Sequence, residues 1–414
     1  MLTQAPKGTS DILPAQSGKW QYLESLFRDI CSRYAMKEIR TPMFEHTELF
    51  VRGVGDTTDV VEKQMYSFDD LAGRNITLKP EGTSPAVRAF VENGIYAETQ
   101  PTKLYYITPC FRYEKMQKGR YRQFHQLGTE IFGSASPMAD AEIVSIAADM
   151  FEALGMKEIE LRINSVGCPE CRAKHREALK AFLADKYDGL CDTCKGRYNK
   201  NPMRILDCKS KECQKLVEGA PMMLDYLCDD CKDHFEEFKS IITDMGIEYV
   251  VDPWIVRGLD YYTKTAFEFV STKEMAQGTV CGGGRYDNLI EQVGGPSTPG
   301  VGFGMGIERL LLLLGEEGIE LPEDEGVDYM IITMGDEARG YGAGLARKLR
   351  RAGKSVQMDM MGRNFKNQFK YANKIKAKNT IIIGEDEVKT GSFSVKNMAT
   401  GEQTSVSADE IDKL

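Results

Sequence analysis

Two stretches rich in Tyr, Ile and Phe, Lys103–Tyr113 and Gln123–Gly133, narrow the choice of fold more than anything else in the sequence. They flank nine residues, Glu114–Arg122, that carry four Lys and Arg against one acid. Strand-forming residues on either side of a polar turn predict one long antiparallel hairpin. Antiparallel pairing fixes side chains in register. Phe111-Arg112-Tyr113-Glu114 then ends one strand, and Arg120, Arg122, Gln123 and Phe124 open the next. Guanidinium groups held this way can meet a phosphate through two hydrogen bonds while an aromatic ring covers a base. A solvated, charged hairpin tip is the alternative that spacing alone leaves open.

Around the hairpin, residues 17–35, 83–94 and 137–155 have helical periodicity and 157–164 reads as a strand. The composition changes abruptly at Gly167, and cysteine pairs recur until Cys231. The earlier pattern then resumes, with Ala266–Ser271 and Gly278–Cys281 as strand candidates and Gly300–Leu314 as a strand entering an apolar helix. A cysteine-rich insertion, 167–240, therefore interrupts a domain spanning 1–320. A Gly-, Pro- and acid-rich linker, 315–326, leads to an alternation of strands and helices over 327–414. That alternation predicts a small α/β domain. The expected class is α+β, in keeping with 414 residues forming two or three domains.

No apolar run approaches the roughly 18 residues a membrane helix needs, and Met1–Pro14 has no signal-like apolar region. The expectation is a soluble, cytoplasmic protein that meets no membrane. A net charge of −9 argues against wholesale coating of nucleic acid, but Arg339–Lys378 holds twelve basic residues against one acid, Asp359. The basic face is local.

Common nucleotide-binding loops are absent. Gly353-Lys354-Ser355 resembles the end of a P-loop, but the earlier glycine position is Lys348, and Gly302-Phe303-Gly304-Met305-Gly306 lacks the third glycine of the dinucleotide fingerprint. Any nucleotide needs another architecture. The hairpin offers one, and Gly304-Met305-Gly306-Ile307-Glu308-Arg309 offers a second anchor, with small residues before an arginine in the first turn of an apolar helix.

Taken together, these residues carry a resemblance to class II aminoacyl-tRNA synthetases, and within them to histidyl-tRNA synthetases. Pro42 resembles the proline of the class's first motif, Phe111–Glu114 with Arg120–Phe124 the second, and Gly304–Arg309 the third. Arg257-Gly258-Leu259-Asp260-Tyr261-Tyr262 and Gly283-Gly284-Arg285-Tyr286-Asp287 match the histidine-specific signatures, and Pro6–Thr9 and Lys79–Thr83 match as well. The resemblance runs in order along nearly the whole chain. It implies an antiparallel-sheet catalytic domain interrupted by a helical insertion, in which the full cysteine set is the departure from the family's pattern, and an anticodon-binding domain at 327–414.

The implied reaction has two steps. The carboxylate of L-histidine attacks the α-phosphate of ATP to give histidyl-adenylate and pyrophosphate, and the histidine tRNA then takes the histidyl group. Arg257 and Arg112 are the implied catalytic residues, acting by positioning and by stabilising phosphoryl charge. ATP would lie against Arg112, Glu114, Arg120, Phe124 and Arg309, with Mg²⁺ on its β- and γ-phosphates. Histidine would meet Glu81, Gly82, Thr83, Arg112, Gln126, Glu130, Arg257, Tyr261, Tyr262 and Tyr286. For tRNA, the implied contacts are Gln117, Arg122 and Arg363. The first motif further implies a homodimer. The rival readings are a histidine-sensing, non-catalytic paralogue such as the regulatory subunit of ATP phosphoribosyltransferase, and a zinc-dependent RNA-binding protein.

The resemblance explains the cysteines least. Cys168 and Cys171, Cys191 and Cys194, Cys208 and Cys213, and Cys228 and Cys231 supply eight thiols, enough for two tetrahedral Zn²⁺ sites, with pairing undetermined by spacing; one site using only some of the pairs, and free or redox-active thiols, are the alternatives. His175 and His234 are alternative ligands, but each reads better as lying on a solvated helix face. Cys31, Cys110 and Cys281 read as buried small hydrophobes.

Overall fold

The computed structural model describes residues 3–55, 58, 60–273, 278–322, 326–408 and 410. It divides into two compact units, Met1–Pro322 and Glu323–Leu414.

Among the described residues the first unit is built on eleven strands: β1 (Lys37–Glu38), β2 (Phe44–His46), β3 (Tyr66–Asp69), β4 (Asn75–Leu78), β5 (Thr102–Phe111), β6 (Gln123–Phe132), β7 (Ile159–Ser165), β8 (Val250–Val251), β9 (Thr263–Ser271), β10 (Thr279–Arg285) and β11 (Gly300–Gly306). Eight of them form one sheet in the order β1-β5-β6-β11-β10-β9-β7-β8, and β2, β4 and β3 form a small separate one. The anticipated hairpin is β5 and β6, in unbroken register from Thr102 opposite Phe132 to Phe111 opposite Gln123. The strand candidate at 266–271 is the C-terminal part of β9, which begins three residues earlier, and the one at 278–281 covers the start of β10, which runs on to Arg285.

Side chains alternate across this sheet, and the alternation assigns its two faces. Tyr105, Leu127, Ile131, Phe267, Val301, Phe303 and Met305 enter the main core. Helices Pro14–Arg33, Pro137–Ala153 and Ile307–Glu317 cover them. Helix Pro14–Arg33 buries Trp20, Leu23, Phe27 and Ile30, a spacing of three and four that keeps one stripe inward. Each such side chain contributes about 1.5–3 kcal/mol on burial. The intervening residues, Tyr106, Gln126, Gly128, Glu130, Gly302 and Gly304, belong to the other face, where the functional groups collect.

The insertion comprises helices Pro169–Leu183, Asp192–Lys200, Lys211–Leu216 and Asp229–Asp244. It leaves from the end of β7 and returns to β8, which pairs parallel with β7. Its interior is two small cores, one around Cys171, Met223 and Cys231 and one around Leu179, Leu183, Leu190, Ile205 and Val217.

Of the stretch read as a linker, residues up to Glu317 belong to the preceding helix, which ends at Gly318 with φ 72°. An apolar face holding Leu310, Leu313 and Leu314 in the core carries that helix past the first glycine. Residues 323–325 lie outside the described residues.

The second unit is a five-stranded sheet, β12 (Tyr329–Thr333), β13 (Val356–Met358), β14 (Asn379–Ile383), β15 (Ser392–Asn397) and β16 (Gln403–Ser407). The order is β13-β12-β14-β15-β16. Helices Asp336–Arg351 and Phe365–Lys374 pack on it. Its first three strands are parallel, as alternation with helices requires, and β15 and β16 add an antiparallel edge.

Candidate active site

The face opposite the main core is floored by glycine. Gly302 and Gly304 of β11, Gly128 of β6 and Gly282 of β10 place backbone where any side chain would fill the space. A Cβ on Gly282 would lie 2.6 Å from the Arg257 guanidinium, and one on Gly128 would lie 2.3 Å from the Tyr106 ring. The alternation of these glycines with Val301, Phe303 and Met305 thus has two consequences: a packed core below and a cavity above.

Four arginines reach that cavity: Arg112, Arg120, Arg257 and Arg309. Arg112 follows β5, donates through Nε to the Pro80 carbonyl at 2.8 Å, and lies with its guanidinium 5.3 Å from the Phe124 ring centre. Arg120 pairs with Glu114 at 3.2 Å, whereas Arg112 lies 3.9 Å from the same carboxylate. Arg309, in the first turn of helix Ile307–Glu317, donates to the Thr279 carbonyl. Burial, followed by the like charge of Arg120, holds the Arg309 pKa below its ordinary value. One carboxylate, Glu114, thus serves two guanidiniums beside a third. The imbalance favours an incoming anion.

Arg257 joins the same network from the other side. It pairs with Glu268 of β9, whose second oxygen accepts from the Thr279 hydroxyl at 2.8 Å. Burial works against its charge, yet Tyr262 and Glu268 outweigh that and raise its pKa. Its Nε is buried without a hydrogen-bond partner. A fixed guanidinium with a donor to spare suits charge that develops during a reaction.

At the other end of the cavity, polar groups are sunk into the sheet. Glu81 caps helix Thr83–Glu92 from below, accepting from the Thr83 and Ser84 amides at 2.6 and 2.8 Å. Gln126 accepts from the Gly82 amide at 3.1 Å. Glu130 accepts from the hydroxyls of Thr83 at 2.8 Å, Tyr106 at 2.9 Å and Tyr286. Burial pushes the Glu130 carboxyl up to about 8, against the three hydroxyls that favour its charged form.

Of the residues singled out in the sequence, Glu81, Thr83, Arg112, Glu114, Arg120, Phe124, Gln126, Arg257, Tyr261, Tyr262 and Arg309 line this one cavity. Glu130 and Tyr286 are fully buried behind it rather than on its wall. Gln117 pairs with Arg120 in an isolated bridge at the hairpin tip. Arg122 stacks 3.7 Å from the centre of the Tyr113 ring. Arg363, in the second unit, pairs with Asp359 at 2.6 Å and covers Tyr371. Sequence reasoning missed Tyr106 and Glu268. The signal for Tyr106 was its position opposite a glycine, Gly128, in the predicted hairpin.

The eight thiols gather into two separate tetrads, Cys168, Cys171, Cys228 and Cys231, and Cys191, Cys194, Cys208 and Cys213, with the sulfur atoms of each within 4.8 Å of one another. Sulfurs bonded to one tetrahedral zinc at 2.3 Å stand about 3.8 Å apart. The observed Cys168–Cys171, Cys168–Cys228 and Cys191–Cys208 separations of 3.4, 3.9 and 3.9 Å fit that geometry. Each tetrad also receives a backbone amide on sulfur, Cys228 N to Cys171 at 3.1 Å and Cys191 N to Cys213 at 3.3 Å. His175 and His234 belong to neither tetrad. Contrary to the solvated placement expected of them, both are buried: His175 meets the Pro221 carbonyl at 2.8 Å, and His234 meets Thr265 and Asp140. Helical periodicity placed them on polar faces because the partners that bury them come from distant segments.

An eight-stranded, largely antiparallel sheet that carries arginines from a strand-loop-strand hairpin and from a glycine-rich strand-to-helix junction defines a class II aminoacyl-tRNA synthetase. Residues 8–310 match the family model described as histidyl-tRNA synthetase, and 328–414 match one described as an anticodon binding domain. A histidine–tRNA ligase of Caldanaerobacter subterraneus is 61% identical over 413 residues, covering 100% of this chain and 99% of the relative. One from Clostridium botulinum is 57% identical over 414 residues, again with 100% and 99% coverage. The apo S. aureus histidyl-tRNA synthetase has a TM-score of 0.85 at 41% identity, with 99% of this chain and 98% of that one covered. The chain belongs to the histidyl-tRNA synthetase family.

Proposed function

We infer that this chain activates L-histidine with ATP and transfers it to the 3′ end of histidine tRNA. One observation carries the site assignment: four guanidiniums converge on one end of a cavity whose other end holds buried, hydrogen-bonded acids and tyrosines. The first end suits a triphosphate, with Phe124 available to the adenine. The second suits an amino acid with a polar ring, because a site that leaves its buried polar groups unpaired rejects apolar isosteres. Glu81 would take the α-amino group, and Gln126 and Tyr262 the imidazole end, with Glu130 acting from behind the wall through the Thr83 and Tyr106 hydroxyls.

In the activation step a histidine carboxylate oxygen bonds to the α-phosphorus as the bond to the pyrophosphate oxygen breaks. Arg112 and Arg257 hold the two reacting oxyanions together and take up charge on the α-phosphate, while Arg309 holds the departing phosphates. No protein nucleophile is needed. Glu114 and Glu308 are the carboxylates lining that end of the cavity that could hold Mg²⁺ accompanying ATP, which would neutralise phosphate charge there. In the second step a terminal ribose hydroxyl of the tRNA attacks the histidyl carbonyl and AMP leaves. Gln117 and Arg122 near the hairpin loop would meet the acceptor end, and Arg363 the anticodon.

Each tetrad holds one zinc on this reading, a structural role consistent with four thiols and no open ligand position. The chain acts as a homodimer, supported by exposed apolar side chains at Met43, Phe44, Phe68 and Leu71 on and around the small sheet. Among the described residues no helix is long and apolar enough to cross a membrane.

Pyrophosphate exchange with ATP, run against all twenty amino acids on wild type and Arg257→Ala, tests the activity. Exchange with histidine alone, lost in a folded variant, is the expected result. Folded protein that binds histidine without exchange would point instead to a histidine sensor.

A further inference from the structure

The segment Arg257–Tyr262 is where the insertion touches the chemistry. Arg257, Leu259, Tyr261 and Tyr262 line the cavity, and Asp260 does not. Asp260 faces the insertion. Its Oδ1 accepts from Asn201 Nδ2 at 2.8 Å, and its carbonyl accepts from Arg172 Nη1 at 3.5 Å. On the near side its amide donates to the Val54 carbonyl at 3.1 Å. Its backbone is therefore held on both sides, by the catalytic domain through its N–H and by the insertion through its C=O.

The two donors come from different lobes of the insertion. Arg172 follows Cys171 in the inner tetrad and is half-buried; burial lowers its pKa, and Asp260 is the first of the neighbours that oppose this. Asn201 ends helix Asp192–Lys200, which carries Cys194 of the outer tetrad. Val256, just before the segment, packs against the outer lobe's core. Each thiol cluster thus fixes one hydrogen-bond donor on the same aspartate, and that aspartate stands next to the tyrosines of the cavity wall. Groups that orient the residues touching a substrate govern activity without touching it themselves.

We propose that Arg172 and Asn201 are positioning residues, which through Asp260 hold Arg257 and Tyr262 in place for histidine and so make the cysteine-rich insertion part of the activation machinery. The proposal rests on the histidine-activation reading of the cavity. It assigns the insertion a role in the first half-reaction, before any tRNA is bound.

The test is histidine-dependent pyrophosphate exchange on the full-length chain without tRNA, with Arg172→Met and Asn201→Ala. Expected is a rise in the histidine KM of roughly tenfold or more, with the ATP KM changed less than about twofold and zinc content and Tm as in wild type. Arg172→Lys, which keeps the charge, recovers part of the loss. Asn201→Asp keeps the size but sets a carboxylate against Asp260, and raises the histidine KM at least as much as Asn201→Ala. It stands in if Asn201→Ala does not fold. Unchanged histidine KM in folded variants of both positions overturns the proposal, and so does an equal change in both KM values that follows a fall in Tm. Wild-type protein with no histidine-dependent exchange would overturn the underlying activity instead.

Discussion

The Tyr106 hydroxyl donates to Glu130 at 2.9 Å between β5 and β6, and the residue opposite Tyr106 in the register is Gly128. The bond exists because Gly128 has no side chain: a Cβ there would lie 2.3 Å from the Tyr106 ring. Gly128→Ala must push the ring away and uncouple it from the buried carboxyl. We expect a loss of about 1–3 kcal/mol in urea denaturation, the usual cost of overpacking, together with a raised histidine KM. Wild-type stability and KM in this variant would show that the ring has room to move.

Glu130 should give the protein a measurable pH dependence. Its carboxyl is raised by burial from 4.5 to about 8. The folded protein therefore keeps a proton that the unfolded chain releases. The resulting stabilisation is fully present below about pH 4.5 and is lost as the pH rises through about 8. Glu130→Gln cannot ionise, so wild type should lose roughly 3 °C or more in Tm relative to this variant between pH 5 and 9. Parallel melting curves across that range would place the Glu130 titration elsewhere.

These two residues also mark the limit of what could be read from the sequence. The hairpin, the three large helices and the strand-to-helix run at Gly300–Leu314 were legible because alternation and helical periodicity are local signals. The glycines of β11 were visible as well, although their purpose was not: only the neighbouring strands reveal that Gly302 leaves room for Glu130. Strands β1, β2 and β8 are two or three residues long and carry almost no periodicity. The pairing of the eight cysteines needed the insertion to fold back on itself, since Cys168 finds Cys228 across 60 residues. For the same reason His234, polar by its helix, was misplaced on the surface.

Arg309 offers a test that separates binding from folding. Its main partner is a backbone carbonyl, that of Thr279, and burial with the like charges of Arg120 and Arg112 outweighs the attraction of Glu114 and Glu268. Arg309→Met should therefore leave the ligand-free Tm unchanged or raise it, while raising the ATP KM about tenfold or more through loss of a charge-assisted contact. Thermal melts with and without ATP and Mg²⁺ provide the check. A variant that melts earlier yet binds ATP normally would make Arg309 a structural residue.

Metal content distinguishes the two tetrads, because each draws its four thiols from different parts of the insertion. Wild type should carry two zinc ions per chain, and Cys208→Ser or Cys228→Ser should each remove one and leave the other. The two losses should not be equal in stability. The inner tetrad joins the start of helix Pro169–Leu183 to the start of helix Asp229–Asp244, closing a loop in which Cys168 and Cys228 are 60 residues apart, whereas Cys191 and Cys208 of the outer tetrad are 17 apart. Closure entropy grows with the logarithm of loop length, so losing the inner site costs about 1 kcal/mol more than losing the outer one, other terms being equal. The inner site also stands close to the exit from β7, which ends at Ser165. Atomic emission on purified protein, followed by urea denaturation of the two variants, should find one zinc in each and the lower midpoint in Cys228→Ser. Zinc-free wild type of unaltered stability would leave the tetrads as ordinary buried thiols, and a single ion lost in both variants together would mean that one shared site exists where the geometry places two.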